Sequence, residues 1–381
     1  MKGTPVLRRL AKTGIAWGLS RTGADRLLAA LSGRERSSLV VGYHRVVESF
    51  EDSARGALPG MIISRRMLEH QLDWLGRRFR FVSLDELGAK LAARESVSVP
   101  VAAVTFDDGY ADVYEHALPL LRRKGIPAAV FVVTDLVGSG GLQLYDRLHV
   151  LLSRVFSRSR SANADVTRLL ADLGLPLPES VARAGLPANP FSTLRVLLEA
   201  LPQAALVRLA SALEHQSPIE ESTFPELRPM SWEMVREMHR AGTTIGSHTR
   251  RHAVLTREHP SQVHEEVAAS RQDLERHLGV RVEHFAYPDG GFDEVSVAAV
   301  AQAGYPFAYT TCAHRDPRRP LLTIPRLMLW ETSCLGVAGR FSGAVMSCQA
   351  AGLFDRLVHC AHDHGPRRAL WPATSTSQFV S

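Results

Sequence analysis

Short apolar runs alternate with stretches of helical periodicity along most of this chain. Ser38 to Tyr43 (SLVVGY) predicts a buried strand, and from Ser64 to Arg78 the residues Met67, Leu68, Leu72 and Leu75 share one face of a helix that Ser64 caps. Arg80 to Val82 predicts a short strand. Ser83, with Glu86 three residues on, predicts a capping box at the start of a second helix through Leu91, and Val101 to Phe106 (VAAVTF) is a further buried strand. The alternation continues with a helix from Asp112 to Lys124 stopped by Gly125, a strand from Ala128 to Val133, a helix from Trp232 to Arg240 and a strand from Thr243 to Ser247. A long helix from about Ser261 to Leu278 stops at Gly279, and strand Val282 to Tyr287, a helix ending near Ala303 and strand Tyr305 to Thr311 follow. Strand alternating with helix predicts an α/β fold whose mostly parallel sheet is closed or nearly closed into a barrel.

Three regions fall outside this rhythm. Residues 1–37 form a basic amphipathic helix in this reading, and residues 331–381 a C-terminal tail. Within the catalytic domain of residues 38–330, residues 138–229 carry helical stretches around Leu148 to Val155 and Leu194 to Leu213 separated by Pro- and Ser-rich sequence. This predicts a helical insertion, placed as a cap beside the active site or as an oligomer contact. The oligomeric state itself is left open.

Composition narrows the class without choosing a function. With 381 residues, 45% hydrophobic and 22% charged, the chain is globular, and disordered or fibrous proteins are excluded. The balance of 45 Lys plus Arg against 39 Asp plus Glu gives a net +6, which selects no partner, and nucleic acid is not expected. Much of the excess is local, since Arg8, Arg9, Lys12, Arg21, Arg26, Arg34 and Arg36 precede the first strand. The apolar residues among them (Val6, Leu7, Leu10, Ile15, Trp17, Leu19) are too interrupted for a signal-peptide core, and no run approaches the ~20 apolar residues of a membrane span. The protein is therefore expected in the cytoplasm, this helix packed on its own domain, with peripheral contact at the inner membrane face as the alternative. Cys312, Cys334, Cys348 and Cys360 contain no Cys-x-x-Cys pair, which argues against a zinc ribbon, and the cluster of His359, Cys360, His362 and His364 reads as solvated tail.

The chemistry gathers at strand ends. Val101 to Phe106 runs into Asp107, Asp108 and Gly109, and Thr243 to Ser247 into His248-Thr-Arg-Arg-His252, a four-residue spacing that would aim both imidazoles the same way on one helical turn. His44 follows the first strand, and Pro288-Asp289-Gly290 follows Val282 to Tyr287. In an α/β barrel all four sites meet on the catalytic rim. One Asp with two His makes a metal site with open positions, suited to activating water for attack on a carbonyl. The other Asp stands where a general base would, while His44 and a backbone N–H near Asp289 are candidates for the general acid and the oxyanion donor.

Thr105-Phe106-Asp107-Asp108-Gly109 together with Ser247-His248-Thr249-Arg250-Arg251-His252 resembles the polysaccharide deacetylase, or NodB-homology, family, carbohydrate esterase family 4. The resemblance implies a distorted seven-stranded barrel, with Asp107 as catalytic base and Asp108, His248 and His252 as ligands of a divalent metal, zinc first, with cobalt or nickel as alternatives. Phe285 to Gly290 is similar to the family's third motif, which assigns Tyr287, Pro288 and Asp289 to the oxyanion and substrate corner. Ala286 stands where that motif has the arginine that tunes the base, and Asp289 where a Tyr is commoner. Val41-Gly42-Tyr43-His44-Arg45-Val46 resembles the Tyr-His segment of circularly permuted members, such as the poly-N-acetylglucosamine deacetylases, and implies His44 as the acid. The implied reaction is removal of acetyl groups from an N-acetylated glycan. The alternatives are hydrolysis of a non-sugar amide or cyclic imide on the same fold, kept open by the missing arginine, and glycan binding without catalysis.

Overall fold

Among the described residues eleven short strands follow in chain order: β1 (Ser38–Tyr43), β2 (Arg45–Val47), β3 (Ile62–Ser64), β4 (Arg80–Phe81), β5 (Val101–Phe106), β6 (Ala128–Val132), β7 (Thr244–Ser247), β8 (His284–Ala286), β9 (Phe307–Thr310), β10 (Ile324–Pro325) and β11 (Leu327–Met328). They belong to a computed structural model that describes residues 5–23, 38–54, 58, 60–95 and 98–354. β5 and β6 are buried at every residue, as strands covered on both faces must be, which is why they read as continuous apolar runs.

Every pairing between these strands is parallel. The order β9–β8–β7–β6–β5–β1 makes an open sheet, β4 lies against the start of β5, and β2 and β3 form a separate pair. Closure comes from one segment, because β10 pairs with β9 and β11 with β1, with only Arg326 between them. Arg326 N–H donates to Thr310 O (2.9 Å) and Leu329 N–H to Gly42 O (2.8 Å), so the segment joins both edges as the broken seventh strand of a barrel. The sequence pattern did not reveal this strand. It is five residues long and holds a proline, which cannot donate to the ladder, and an arginine, which interrupts the apolar run.

The expected helices form, with local differences. Ser64 and Ser83 accept hydrogen bonds from the third helical N–H, and Gly125 and Gly279 close their helices in the left-handed conformation. At Ser83 the capping box is only half made, because the Glu86 carboxylate takes Arg80 (2.6 Å) instead of reaching back. The helix expected from Asp112 opens as a π-helical turn over Val113–Ala117 and becomes α-helical at Leu118. The strand expected over Val282 to Tyr287 shortens to His284–Ala286.

The insertion leaves the barrel after β6 and returns before β7, at the strands' C-terminal end. Its helices Leu144–Arg158, Ala162–Asp172, Glu179–Ala184, Pro190–Ala200 and Gln203–Gln216 enclose a core of their own around Leu148, Leu151, Leu197 and Leu209. The continuous helix expected to Leu213 is cut at Leu201-Pro202, where proline lacks the N–H that a helix interior needs. Residues 331–354, the described part of the expected C-terminal tail, pack on the rest of the chain. Cys334 and Met346 belong to the main core, and helix Gly343–Ala350 packs through Val345 and Cys348 on Ala16 of helix Pro5–Thr22. The N-terminal helix is thus in contact with helix Gly343–Ala350, and its Ile15 (57%) and Trp17 (56%) are exposed. Among the described residues no helix is long and apolar enough to cross a membrane, and the cluster around His359 lies outside them.

Candidate metal and catalytic site

The rim is built by backbone turns that follow β5, β7 and β8. Asp107 continues the β5 ladder, its N–H donating to Tyr43 O (2.9 Å), and the chain then turns through Asp108 (φ +73) and Gly109 (φ +76). Gly109 is needed twice over, since a Cβ there would meet Val132 at 3.0 Å as well as a left-handed backbone. His248 is fixed by its N–H to Val132 O (2.9 Å). Beyond it the expected helical turn is absent: Thr249 (φ +66) and His252 (φ +60) are left-handed, and this loop, not a helix face, brings the two imidazoles together. With Asp289 (φ +57), four of the five described non-glycine residues at positive φ lie on this rim. Strain of about 1 kcal/mol or more per residue persists where the surrounding structure enforces it, as at functional sites.

Asp108, His248 and His252 offer one donor atom each, all within 4.8 Å of one another. His248 Nε2 lies 3.5 Å and His252 Nε2 3.2 Å from Asp108 Oδ1, and this buried oxygen has no hydrogen-bond partner. A carboxylate oxygen left unpartnered between two imidazoles is costly unless a cation completes it, so the donor set fits a divalent metal. His248 Nδ1 lies 2.9 Å from Ala286 O, which assigns the proton to Nδ1 and leaves the Nε2 lone pair aimed inward. Burial pushes His248 down to about 4, toward the neutral ligand form. Burial also favours neutral forms at Asp108 and His252, but their contact outweighs it, holding Asp108 well below the usual carboxylate range and His252 above the usual imidazole value.

The arginine that sequence reasoning missed comes from the closing strand. Arg326 grips Asp107 with both arms, Nη1 to Oδ1 at 2.6 Å and Nη2 to Oδ2 at 2.7 Å, and Nη1 also reaches Thr105 Oγ1 at 3.2 Å. Burial alone would raise Asp107, yet the guanidinium holds its carboxyl below the ordinary value. Ala286 still serves the site through its carbonyl. The available signal was a lone cation inside the apolar run Leu321 to Trp330.

The remaining candidates divide. His44 follows β1, half-buried, and close enough for its charge to act on both Asp107 and Asp108. Asp289 is exposed on the rim and its charge acts on His252, with Pro288 buried beneath. Tyr287 does not reach the site. It is 0% exposed, its hydroxyl donates to Leu322 O (3.0 Å), and its N–H is used by Tyr309 O (3.0 Å). A residue absent from the sequence reading takes part instead: Tyr145, from the first insertion helix, donates its hydroxyl to Asp108 Oδ2 (2.9 Å).

Comparison with known proteins follows the same lines. Over 128 residues the chain is 28% identical to the poly-β-1,6-N-acetyl-D-glucosamine N-deacetylase of Staphylococcus aureus, a match covering 31% of this chain and 43% of that relative, so under half of the relative's length is spanned. It is 27% identical over 77 residues to the putative polysaccharide deacetylase YxkH of Bacillus subtilis, covering 20% of this chain and 28% of that protein. The structure of IcaB from Ammonifex degensii has the same fold, at a TM-score of 0.50 and 20% identity over 83% of this chain and 97% of that one. The sequence profile of the family described as polysaccharide deacetylase matches residues 94–175 and 193–308, a little over half of the sequence, and the chain belongs to that family.

Proposed function

We propose that this protein hydrolyses the N-acetyl amide of N-acetylhexosamine units in a glycan. The observation that carries this reading is the pairing of two adjacent carboxylates in different settings. Asp107 is clamped and ionised by Arg326, and Asp108 is turned by its left-handed backbone toward His248 and His252. A divalent metal held by Asp108, His248 and His252 would supply Lewis-acid activation of water and of the acetamide carbonyl. Asp107 accepts the proton of the attacking water. The Asp289 N–H donates to the oxyanion that develops on the carbonyl oxygen, and His44 protonates the departing amine. Arg326 keeps Asp107 ionised between turnovers, so the base is always ready to accept. The similarity to a poly-β-1,6-N-acetyl-D-glucosamine deacetylase makes β-1,6-linked N-acetylglucosamine the first substrate to try. The reading as hydrolase of a non-sugar amide or cyclic imide rests on a missing arginine, and the grip of Arg326 on Asp107 weakens that ground.

Acetate release from N-acetylglucosamine oligomers, measured with metal content on the same preparations, tests the proposal. Wild type is expected to hold about one metal per chain and to release acetate. Asp107→Asn should keep the metal and lose roughly 10²- to 10⁴-fold in rate, the usual contribution of a general base. Bound metal with no turnover of any acetylated sugar would favour the glycan-binding reading and overturn this one.

A further inference from the structure

Behind the metal ligands lies a row of buried oxygens that the reaction does not use. Tyr145 donates to Asp108 Oδ2 (2.9 Å), the Tyr110 hydroxyl lies 2.5 Å from the Tyr145 hydroxyl, and Tyr110 also lies 2.5 Å from Asp146 Oδ2. Asp108, Tyr110, Tyr145 and Asp146 are all buried. Tyr110 follows the Asp-Asp-Gly turn, whereas Tyr145 and Asp146 belong to the insertion, so the row ties the insertion to the barrel at the candidate metal site.

Counting protons fixes the state of the row. It has three links and only two hydroxyl protons. Were Asp146 ionised, Tyr110 would spend its proton there and Tyr145 its own on Asp108, leaving two phenol oxygens facing each other at 2.5 Å with nothing between them. Unsatisfied lone pairs at that distance in a dry interior are costly. A third proton fills every link. Placed on Asp108 it would abolish the ligand, so, granted the metal-site reading above, it sits on Asp146. The groups facing Asp146 agree with this. Burial, the largest influence, and the charge of Asp108 raise its carboxyl, while the Tyr110 hydroxyl, Arg45 and His252 lower it, and the balance leaves it at about 7. Arg45, the nearest of these cations in kind to a counter-ion, is already spent on Asp112 (2.9 Å) and the Glu226 carbonyl.

We propose that Asp146 is a neutral carboxylic acid heading a one-way hydrogen-bond chain, Asp146 to Tyr110 to Tyr145 to Asp108, that holds the metal-binding carboxylate in position. Tyr145 is thus a positioning residue, and the insertion is a working part of the metal site as well as a cap. With Oδ2 held by Tyr145, Oδ1 is the oxygen presented to the two imidazoles. Such outer partners commonly change metal affinity by about 10- to 100-fold when removed.

The test is metal affinity of the full chain, by competition of Zn²⁺ against a chromophoric chelator, with the Co²⁺ absorption spectrum as a readout of ligand geometry. Far-UV circular dichroism of the metal-free variants checks folding. Tyr145→Phe keeps the ring and should weaken Zn²⁺ by about tenfold or more and alter the Co²⁺ spectrum. Asp146→Asn keeps a neutral donor toward Tyr110 and should stay within about threefold of wild type, whereas Asp146→Leu should fall to the Tyr145→Phe level. Infrared difference spectra of wild type against Asp146→Asn should contain a protonated-carboxyl band, a readout that does not depend on metal. Wild-type affinity in Tyr145→Phe, or equal losses in Asp146→Asn and Asp146→Leu, would overturn the chain as drawn. Failure of the metal-site reading looks different, since His248→Ala would then bind Zn²⁺ as wild type does.

Discussion

Asp107 and Asp108 are neighbours in sequence with opposite company, one facing a guanidinium and the other two imidazoles, and on this difference rests the proposal of one as base and the other as ligand. Arg326→Ala leaves Asp107 buried without its cation, so its carboxyl should rise and the acid limb of the pH profile of kcat/KM should move to higher pH. The sign for stability agrees: a depressed carboxyl contributes stability above its unfolded value that is lost as pH falls, and removing Arg326 removes that contribution. Breaking a buried pair costs on the order of 3–5 kcal/mol, which urea unfolding near neutral pH would read. Arg326→Lys should recover only part of both effects, because an ammonium cannot bond both carboxylate oxygens in the fork geometry. His44→Ala tests the acid. Fold and metal should survive, with a far greater loss on an amide than on an acetate ester of an activated phenol, because only the amine needs a proton to leave. Equal losses on the two substrates would remove His44 from that role.

At the scale of elements, the insertion helix Leu144–Arg158 links a local core to the catalytic rim, and Asp146 is where the two meet. Asp146 is raised from 3.8 to about 7, with burial as the leading cause. Between those values the unfolded chain gives up this proton and the folded chain keeps it. The stability that Asp146 contributes is therefore complete below about pH 4, falls as pH rises and levels off above about pH 7, a span on the order of a few kcal/mol. Asparagine does not titrate. Urea unfolding at the two ends of that window should show Asp146→Asn gaining on wild type by this amount as pH rises, and a difference that does not change with pH would mean that Asp146 is ionised in the fold.

For the molecule as a whole, the barrel holds the proposed ligands after β5 and β7 within 4.8 Å of one another, so metal binding there should stabilise the folded chain by mass action. Zn²⁺ at about a hundred times its dissociation constant should add roughly 2.7 kcal/mol and raise the thermal midpoint, while His248→Ala should show no such shift. A rise of equal size in His248→Ala would place the binding elsewhere. The sequence alone determined the alternation of buried strands and helices, hence the barrel, and the strand-end positions of Asp107, Asp108, His248, His252 and His44. These are local facts: an apolar run and the polar residue that ends it are contiguous in the chain. Only the tertiary structure decided which arginine faces Asp107, that Tyr287 belongs to the core, that a loop rather than a helical turn presents His248 and His252, and that Tyr145 of the insertion holds Asp108. The loop is held by Asp135 and Glu266, and the others depend on barrel closure or on the docking of the insertion. Those events bring together residues as far apart as Asp107 and Arg326, and no local pattern of hydrophobic and polar positions encodes such a meeting.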